Sequence, residues 1–182
     1  MSRIGNKPLK VEKGVTVTSA AEAVTVKGPK GSLTLPLPRG VSVDVKDGVL
    51  SVRRADEDKK TRACHGTIRS ILENHLQGVV TPFQKSLEIQ GVGFQAAMKG
   101  KKLALKVGFA NEIQLDVPAG LQVDLPSTTM VVVSGCDRQA VGEFAARVRK
   151  VRPPEPYNGK GIRYVGEHVE RKAGKSFTSS GG

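Results

Sequence analysis

The amino-acid sequence predicts an α+β chain of two tandem similar domains, each a small, mainly antiparallel sheet packed against one helix. Three observations carry this. Apolar residues alternate with period two in many short runs, one stripe of helical period follows each set of runs, and the two sets resemble each other. The apolar side chains are mainly Val, Leu, Ile and Ala, with no Trp, two Tyr and five Phe. Stiff β-branched side chains pack well on a pleated surface and favour strands.

In the first half, Gly14–Val17, Ala23–Val26, Ser32–Leu35, Val41–Val45 and Gly48–Val52 alternate, as strands with one buried face do. Gly28-Pro29-Lys30-Gly31 and Asp47-Gly48 supply turns between them. From Arg62 to Gln77 the period changes. Ala63, Thr67, Ile68, Ile71, Leu72, His75 and Leu76 form a helical stripe, and Gly78 stands where a helix would stop. Asp56 and Glu57 lie in a polar connection expected to project as a loop.

The second half follows the same scheme. Ser86–Met98 reads as a long strand interrupted at Gly91 and Gly93, by a bulge or a close backbone approach. A basic turn, Lys99–Lys102, leads into the run Leu103–Val107, and Met130–Val133 is a further strand. Asp137 is a good helix N-cap, followed by the inward stripe Ala140, Val141, Phe144, Ala145 and Val148. Pro38-Arg39-Gly40-Val41-Ser42-Val43 matches Pro118-Ala119-Gly120-Leu121-Gln122-Val123 at an offset of 80 residues. Two unrelated sheets of short strands could look alike at this level, but the matching order of elements favours duplication. The expected division is 1–81 for the first domain, 82–175 for the second and 176–182 for a flexible tail.

The 182-residue chain carries 29 Lys and Arg against 17 Asp and Glu, a formal net charge of +12. Such a surface gains affinity for a polyanion by releasing condensed counterions. Simple solubility and an anionic membrane surface are the plainer alternatives. No apolar run approaches the roughly 20 residues that span a bilayer, and the first residues lack the apolar stretch of a secretory signal. A cytoplasmic protein is expected. Cys64 and Cys136 stand apart and, with His65, His75 and His168, show no metal-ligand spacing. They are expected as core or near-surface thiols.

No catalytic set emerges. His65 and His75 belong to the first helical pattern, with His65, before Gly66, expected to be partly exposed. Asp56, Glu57 and Asp58 mix with Arg53, Arg54, Lys59 and Lys60 as a solvated surface does. Gly159-Lys160-Gly161 lacks the rest of a phosphate-binding loop, and Gly91-Val92-Gly93 lacks the third glycine of a dinucleotide site. Neither an enzyme nor a cofactor or metal is expected.

Between Arg147 and Lys175 stand nine Lys or Arg and three acids. Within this stretch Pro153, Pro154 and Pro156 restrict the backbone and lower the cost of ordering on contact. Gly159 and Gly161 permit close approach of the main chain to a phosphate. Arg152, Lys160 and Arg163 supply charge, and Tyr157 or Tyr164 can stack on an unpaired base. The candidate RNA-binding residues are Arg147, Arg149, Lys150, Arg152, Tyr157, Asn158, Gly159, Lys160, Gly161, Arg163, Tyr164, Arg171, Lys172 and Lys175. A proline-stiffened surface excursion is the bland alternative. The N-terminal Arg3, Lys7, Lys10 and Lys13 could add contacts.

The sequence closely resembles the bacterial form of large-subunit ribosomal protein number six over essentially its whole length. The resemblance rests on Ser2-Arg3-Ile4-Gly5 with Lys7-Pro8, on Val24-Thr25-Val26-Lys27-Gly28-Pro29-Lys30-Gly31, and on Pro154-Glu155-Pro156-Tyr157-Asn158-Gly159-Lys160-Gly161-Ile162-Arg163-Tyr164. The family usually has Lys where this chain has Asn158, so one positive charge of the loop is missing. The resemblance implies a structural constituent of the large ribosomal subunit. It would bind large-subunit rRNA mostly through its C-terminal domain, near the sarcin-ricin loop, the translation-factor docking region and the proteins of the stalk base. Neither a membrane nor an obligate homo-oligomer is implied. The alternatives are a free-standing RNA-binding or RNA-chaperone module of another ribonucleoprotein and, more remotely, an RNA-directed hydrolase or transferase.

Overall fold

The computed structural model describes residues 4–20, 22–46 and 48–172. Arg3, Lys175 and the expected tail 176–182 lie outside them. The chain forms two compact units. One is drawn from Met1–Phe83 with Gly135–Gln139, the other from Gln84–Ser134 with Ala140–Gly182.

In the first unit a two-residue strand that the alternation did not single out, β1 (Leu9–Lys10), precedes the five alternating runs, which become β2 (Thr16–Ser19), β3 (Ala23–Gly28), β4 (Gly31–Pro36), β5 (Val41–Lys46) and β6 (Val49–Arg54). They divide into two antiparallel three-stranded sheets, β2-β3-β4 and β1-β6-β5, both served by the helix α1 (Lys59–Gly78). Alternation decides which side chains go inward: Val24 and Val26 of β3, Val41 and Val43 of β5, and Leu50 and Val52 of β6 are buried. Ile68, Leu72 and Leu76 of α1 close on the same cluster with Leu9 and Val79. Leu72 is wholly buried; truncating such a residue to Ala typically costs about 2–5 kcal/mol.

The helix face differs from the expected stripe. Ala63 and Thr67 are exposed, and Thr61, His65 and Arg69 are buried in their place. Thr61, His65, Ile68, Leu72 and Leu76 recur at helical spacing, so the buried face keeps Ile68, Leu72, His75 and Leu76 of the apolar reading and is turned toward Thr61, His65 and Arg69. Internal partners admit two of the polar members, His65 and Arg69. The Nε2 of His65, only 2% exposed rather than partly open, lies 3.0 Å from the Val52 carbonyl oxygen. Arg69 donates from Nε to the Lys7 carbonyl at 3.3 Å and pairs with Glu73. Burial also lowers the His75 pKa from 6.5, against the field of Asp137, which raises it.

Asp58 caps α1 by accepting from the Lys60 amide at 3.2 Å. Gly78 does not end the helix by adopting a left-handed conformation; it is the last helical residue, and Val79 follows with φ −74°. The Thr81 amide then donates to the Gln77 carbonyl at 2.8 Å. Gly78 is required for another reason. A Cβ there would overlap the Cys136 carbonyl oxygen and stand 2.9 Å from the Phe83 ring. Cys64 and Cys136 are free thiols, both half-buried.

The second unit repeats the order with β7 (Phe83–Gln90), β8 (Gln95–Lys99), β9 (Lys102–Lys106), β10 (Ile113–Asp116), β11 (Leu121–Ser127), β12 (Met130–Gly135) and α2 (Arg138–Val151). The expected long strand over Ser86–Met98 is two strands in different sheets. β7 lies in β11-β12-β7-β13 and β8 in the antiparallel sheet β10-β9-β8, with β13 spanning Gly161–Tyr164. In both units the first strand pairs with the sixth, the sixth with the fifth, and the middle three form their own sheet. That shared topology is the physical content of the sequence repeat. β13 is the addition: it takes the edge of β7, while the corresponding β1 edge carries no further strand among the described residues.

Gly78→Ala is expected to destabilise the chain by about 1–3 kcal/mol, the usual cost of forcing a methyl into a filled site. Urea unfolding checks it. A midpoint at or above wild type, as improved helix propensity alone would give, contradicts the close-packing assignment.

Candidate nucleic-acid interface

α2 begins where the Asp137 carboxylate accepts from the Gln139 amide at 2.8 Å. Val141, Phe144, Ala145 and Val148 form its buried stripe. The remaining faces leave Arg147 and Lys150 exposed and Arg149 half-buried. The helix ends at Val151 because Pro153 disfavours the helical conformation at Arg152 and has no amide to continue the ladder.

The segment after α2 folds back on itself. The Ile162 amide donates to the Arg152 carbonyl at 2.7 Å, and the Glu155 amide to the Lys160 carbonyl at 2.9 Å. The loop is thereby pinched at its base, with Tyr157, Asn158 and Lys160 exposed beyond the pinch. Gly161, at φ 141°, allows this: a Cβ would stand 2.6 Å from the Pro153 carbonyl oxygen. Gly159, at φ 72°, faces the Arg171 guanidinium, which a Cβ would meet at 3.1 Å. Both glycines are buried and serve the approach of protein to protein.

β13 fastens this loop to the sheet. Its antiparallel register on β7 sets Ile162 opposite Ile89, Arg163 opposite Glu88 and Tyr164 opposite Leu87. Ile162 is wholly buried, and Arg163 forms an ion pair with the directly facing Glu88. The chain turns again at Glu167. Its Oε2 accepts from the Tyr164 amide at 3.0 Å and from Arg149 Nε at 3.0 Å, while the other oxygen takes the second arm of the guanidinium fork. The hydrogen bond to Arg149 is the largest cause holding the Glu167 carboxyl below its ordinary 4.5. The same bond raises Arg149 above its ordinary value. The Tyr164 ring has Lys85 Nζ and the Arg149 guanidinium each 5.9 Å from its centre. Finally, the Lys172 amide donates to the Pro156 carbonyl at 2.7 Å and ties the following segment to the loop.

The candidate cations therefore fall into two groups. Arg147, Arg149 and Arg163 are spent on Glu143, Glu167 and Glu88. Lys150, Arg152, Lys160, Arg171 and Lys172 form no salt bridge among the described residues, and all but the half-buried Arg152 are exposed. Arg152 lies over the Phe109 ring, 5.2 Å from its centre. Tyr157 is 58% exposed, whereas Tyr164 is half-buried among cations. Lys175 lies outside the described residues.

Sequence reasoning missed Glu88, Glu167, Lys85 and Phe109 as parts of this region. Glu167 had a local signal, three residues beyond Tyr164. Glu88 stands 75 positions from Arg163, and only strand pairing brings them together. Among the described residues no group of three or more His, Cys, Asp or Glu could hold a metal ion, and no helix is long and apolar enough to cross a membrane.

A family model described as Ribosomal protein L6 matches residues 11–81 and 90–165, segments that fall in the two repeats. The chain is 49% identical over 176 residues to the large ribosomal subunit protein uL6 of Rubrobacter xylanophilus, covering 97% of this chain and 99% of that protein. It is 48% identical to the uL6 protein of Microcystis aeruginosa, over 97% of this chain and 93% of that one. The Bacillus cereus uL6 protein is also 48% identical, over 97% and 99%.

Glu167→Gln, which keeps an acceptor for the Tyr164 amide but removes the charge, is expected to cost about 1–2 kcal/mol at pH 7. Because the folded pKa lies below 4.5, the carboxylate stabilises the fold fully above that value. The contribution is lost as pH falls through the folded pKa. Urea unfolding at pH 7 and pH 3 should show the gap between wild type and variant closing in acid. A gap of constant size would contradict the ionic assignment.

Proposed function

Since the chain belongs to the ribosomal protein L6 family, we propose that it is a structural constituent of the large ribosomal subunit that binds large-subunit rRNA through its second unit. One observation carries the reading. The pinched loop, the end of α2 and the segment tied to Pro156 hold five cations that form no salt bridge among the described residues, on a backbone whose shape is already closed. Each phosphate neutralised there releases counterions, and a preformed loop loses little entropy on binding.

Direct contacts are assigned to Lys150, Arg152, Lys160, Arg171, Lys172 and Lys175, with Tyr157 and Asn158 at the loop tip. Arg147, Arg149, Gly159, Gly161, Arg163 and Tyr164 act mainly by holding the shape that presents them. The finer placement rests on family resemblance. In it the protein sits near the translation-factor docking region, with the sarcin-ricin region among its RNA partners and stalk-base proteins beside it, in the cytoplasm of a bacterium. Most contacts of such a protein go to backbone, so it positions and clamps RNA more than it reads sequence.

The test is binding to protein-free bacterial large-subunit rRNA across a range of salt concentrations. Replacing Lys160 and Lys172 with Ala should weaken binding and reduce the slope of log K against log salt by about one for each cation removed. The urea midpoint should stay near that of wild type, because both side chains are exposed. Unchanged affinity and slope in this double variant would refute the assignment of the loop as an RNA contact.

A further inference from the structure

Two glycine turns of the second unit meet on one aromatic ring. A Cβ at Gly91, φ 155°, would stand 2.6 Å from the Phe94 ring, and one at Gly108, φ 79°, would stand 2.9 Å from it. Neither position accepts a side chain, so Phe94 draws the turn after β7 against the turn after β9. The residues that follow the two glycines point outward. Val92 is 94% exposed and Phe109 43% exposed.

Exposing a phenylalanine in a position held by packed neighbours forgoes burial that would stabilise the unit. What does lie over Phe109 is a charge. The Arg152 guanidinium sits 5.2 Å from the ring centre, and the carbonyl of the same residue closes the base of the basic loop. The aromatic turn is thereby joined to the loop through one residue. Lys106 flanks it, and neither Gly91–Gln95 nor Lys106–Asn111 contains an acid.

We propose that Phe109 and Arg152 form a stacking platform for an unpaired nucleobase of the bound RNA. The occupant follows from the chemistry. A flat cation over an aromatic ring, with no salt-bridge partner of its own among the described residues, suits a base whose π-face stacks and whose phosphate is attracted. An apolar protein surface would gain from Val92 and Phe109 but would have to desolvate Arg152 without offering it a partner. The platform extends the proposed RNA reading and rests on it. It adds a contact with a base to contacts with backbone.

Stacking and phosphate neutralisation differ in their response to salt, and this separates the two claims. Wild type, Phe109→Leu, Phe109→Trp and Lys160→Ala would be titrated onto protein-free bacterial large-subunit rRNA at several salt concentrations, with folding checked by urea unfolding. Phe109→Leu keeps apolar bulk and loses the ring. It should bind about ten-fold more weakly with the wild-type salt slope, and Phe109→Trp should bind as tightly as wild type or more so. Lys160→Ala should lower the slope by about one.

Wild-type affinity in Phe109→Leu overturns the platform, whether or not that variant is later lost from assembled subunits through a protein contact. A reduced slope in Phe109→Leu also overturns it, since Phe109 would then act only by holding Arg152 against a phosphate. So does a Trp variant as weak as the Leu variant. In each case a weakened Lys160→Ala leaves the RNA-binding reading standing. If Lys160→Ala also binds as wild type with an unchanged slope, that reading falls with it.

Discussion

A four-residue strand, Gly161–Tyr164, is the constraint on which the rest of the candidate interface depends. By pairing with β7 it buries Ile162, sets Arg163 against Glu88 and brings the Ile162 amide to the Arg152 carbonyl. Everything basic after α2 hangs from that attachment. The loop before the strand is closed by its first residues, and the segment after it returns through Glu167 and the Lys172–Pro156 hydrogen bond. The first unit, with the same six strands and one helix, has no counterpart of this strand among the described residues. The same scaffold thus occurs twice, and the extra edge strand distinguishes the unit that carries the basic loop.

The charges show a division of labour. Clustering cations on a short stretch of chain costs mutual repulsion, which like-charged neighbours feel most when they are partly buried. Here the half-buried Arg149 and Arg163 are matched to carboxylates, and Glu167 also caps the Tyr164 amide. Of the cations without a salt bridge among the described residues, Lys150, Lys160, Arg171 and Lys172 are exposed, where water screens them until a polyanion arrives, and the half-buried Arg152 lies over Phe109 instead. Paired arginines give the region its shape and unpaired ones its attraction. Removing Arg163 and removing Lys160 should therefore have different consequences, although the sequence presents them as similar members of one basic motif.

Much of the fold was legible in the sequence because one-sided burial writes a period into it. Val24 and Val26, Val41 and Val43, and Val141, Phe144, Ala145 and Val148 fall inward where their spacing says they should. The periodicity failed where polar residues find partners inside. His65 and Arg69 occupy the buried face of α1 because Val52, Lys7 and Glu73 accept their hydrogen bonds, and no apolar count records that. Gly78 misled for a related reason. A glycine at a helix end suggests a left-handed cap, whereas here the missing side chain leaves room for Cys136, 58 residues further along the chain. The basic loop stood out by composition, but which of its cations are unpaired depends on Glu88 and on strand register. Phe109 had no signal at all, since its partner Arg152 lies over it only in three dimensions.

A loop held by β13 rather than shaped by its ligand is built before RNA arrives. Hydrogen exchange of the Ile162 and Glu155 amides in the free protein measures this most directly, because those two donors close the loop. Slow exchange is expected at Ile162, comparable with the amides of β7, and clear protection at Glu155, both little changed when rRNA is added. Exchange near the unprotected rate in the free protein, with protection appearing only on RNA binding, would contradict it.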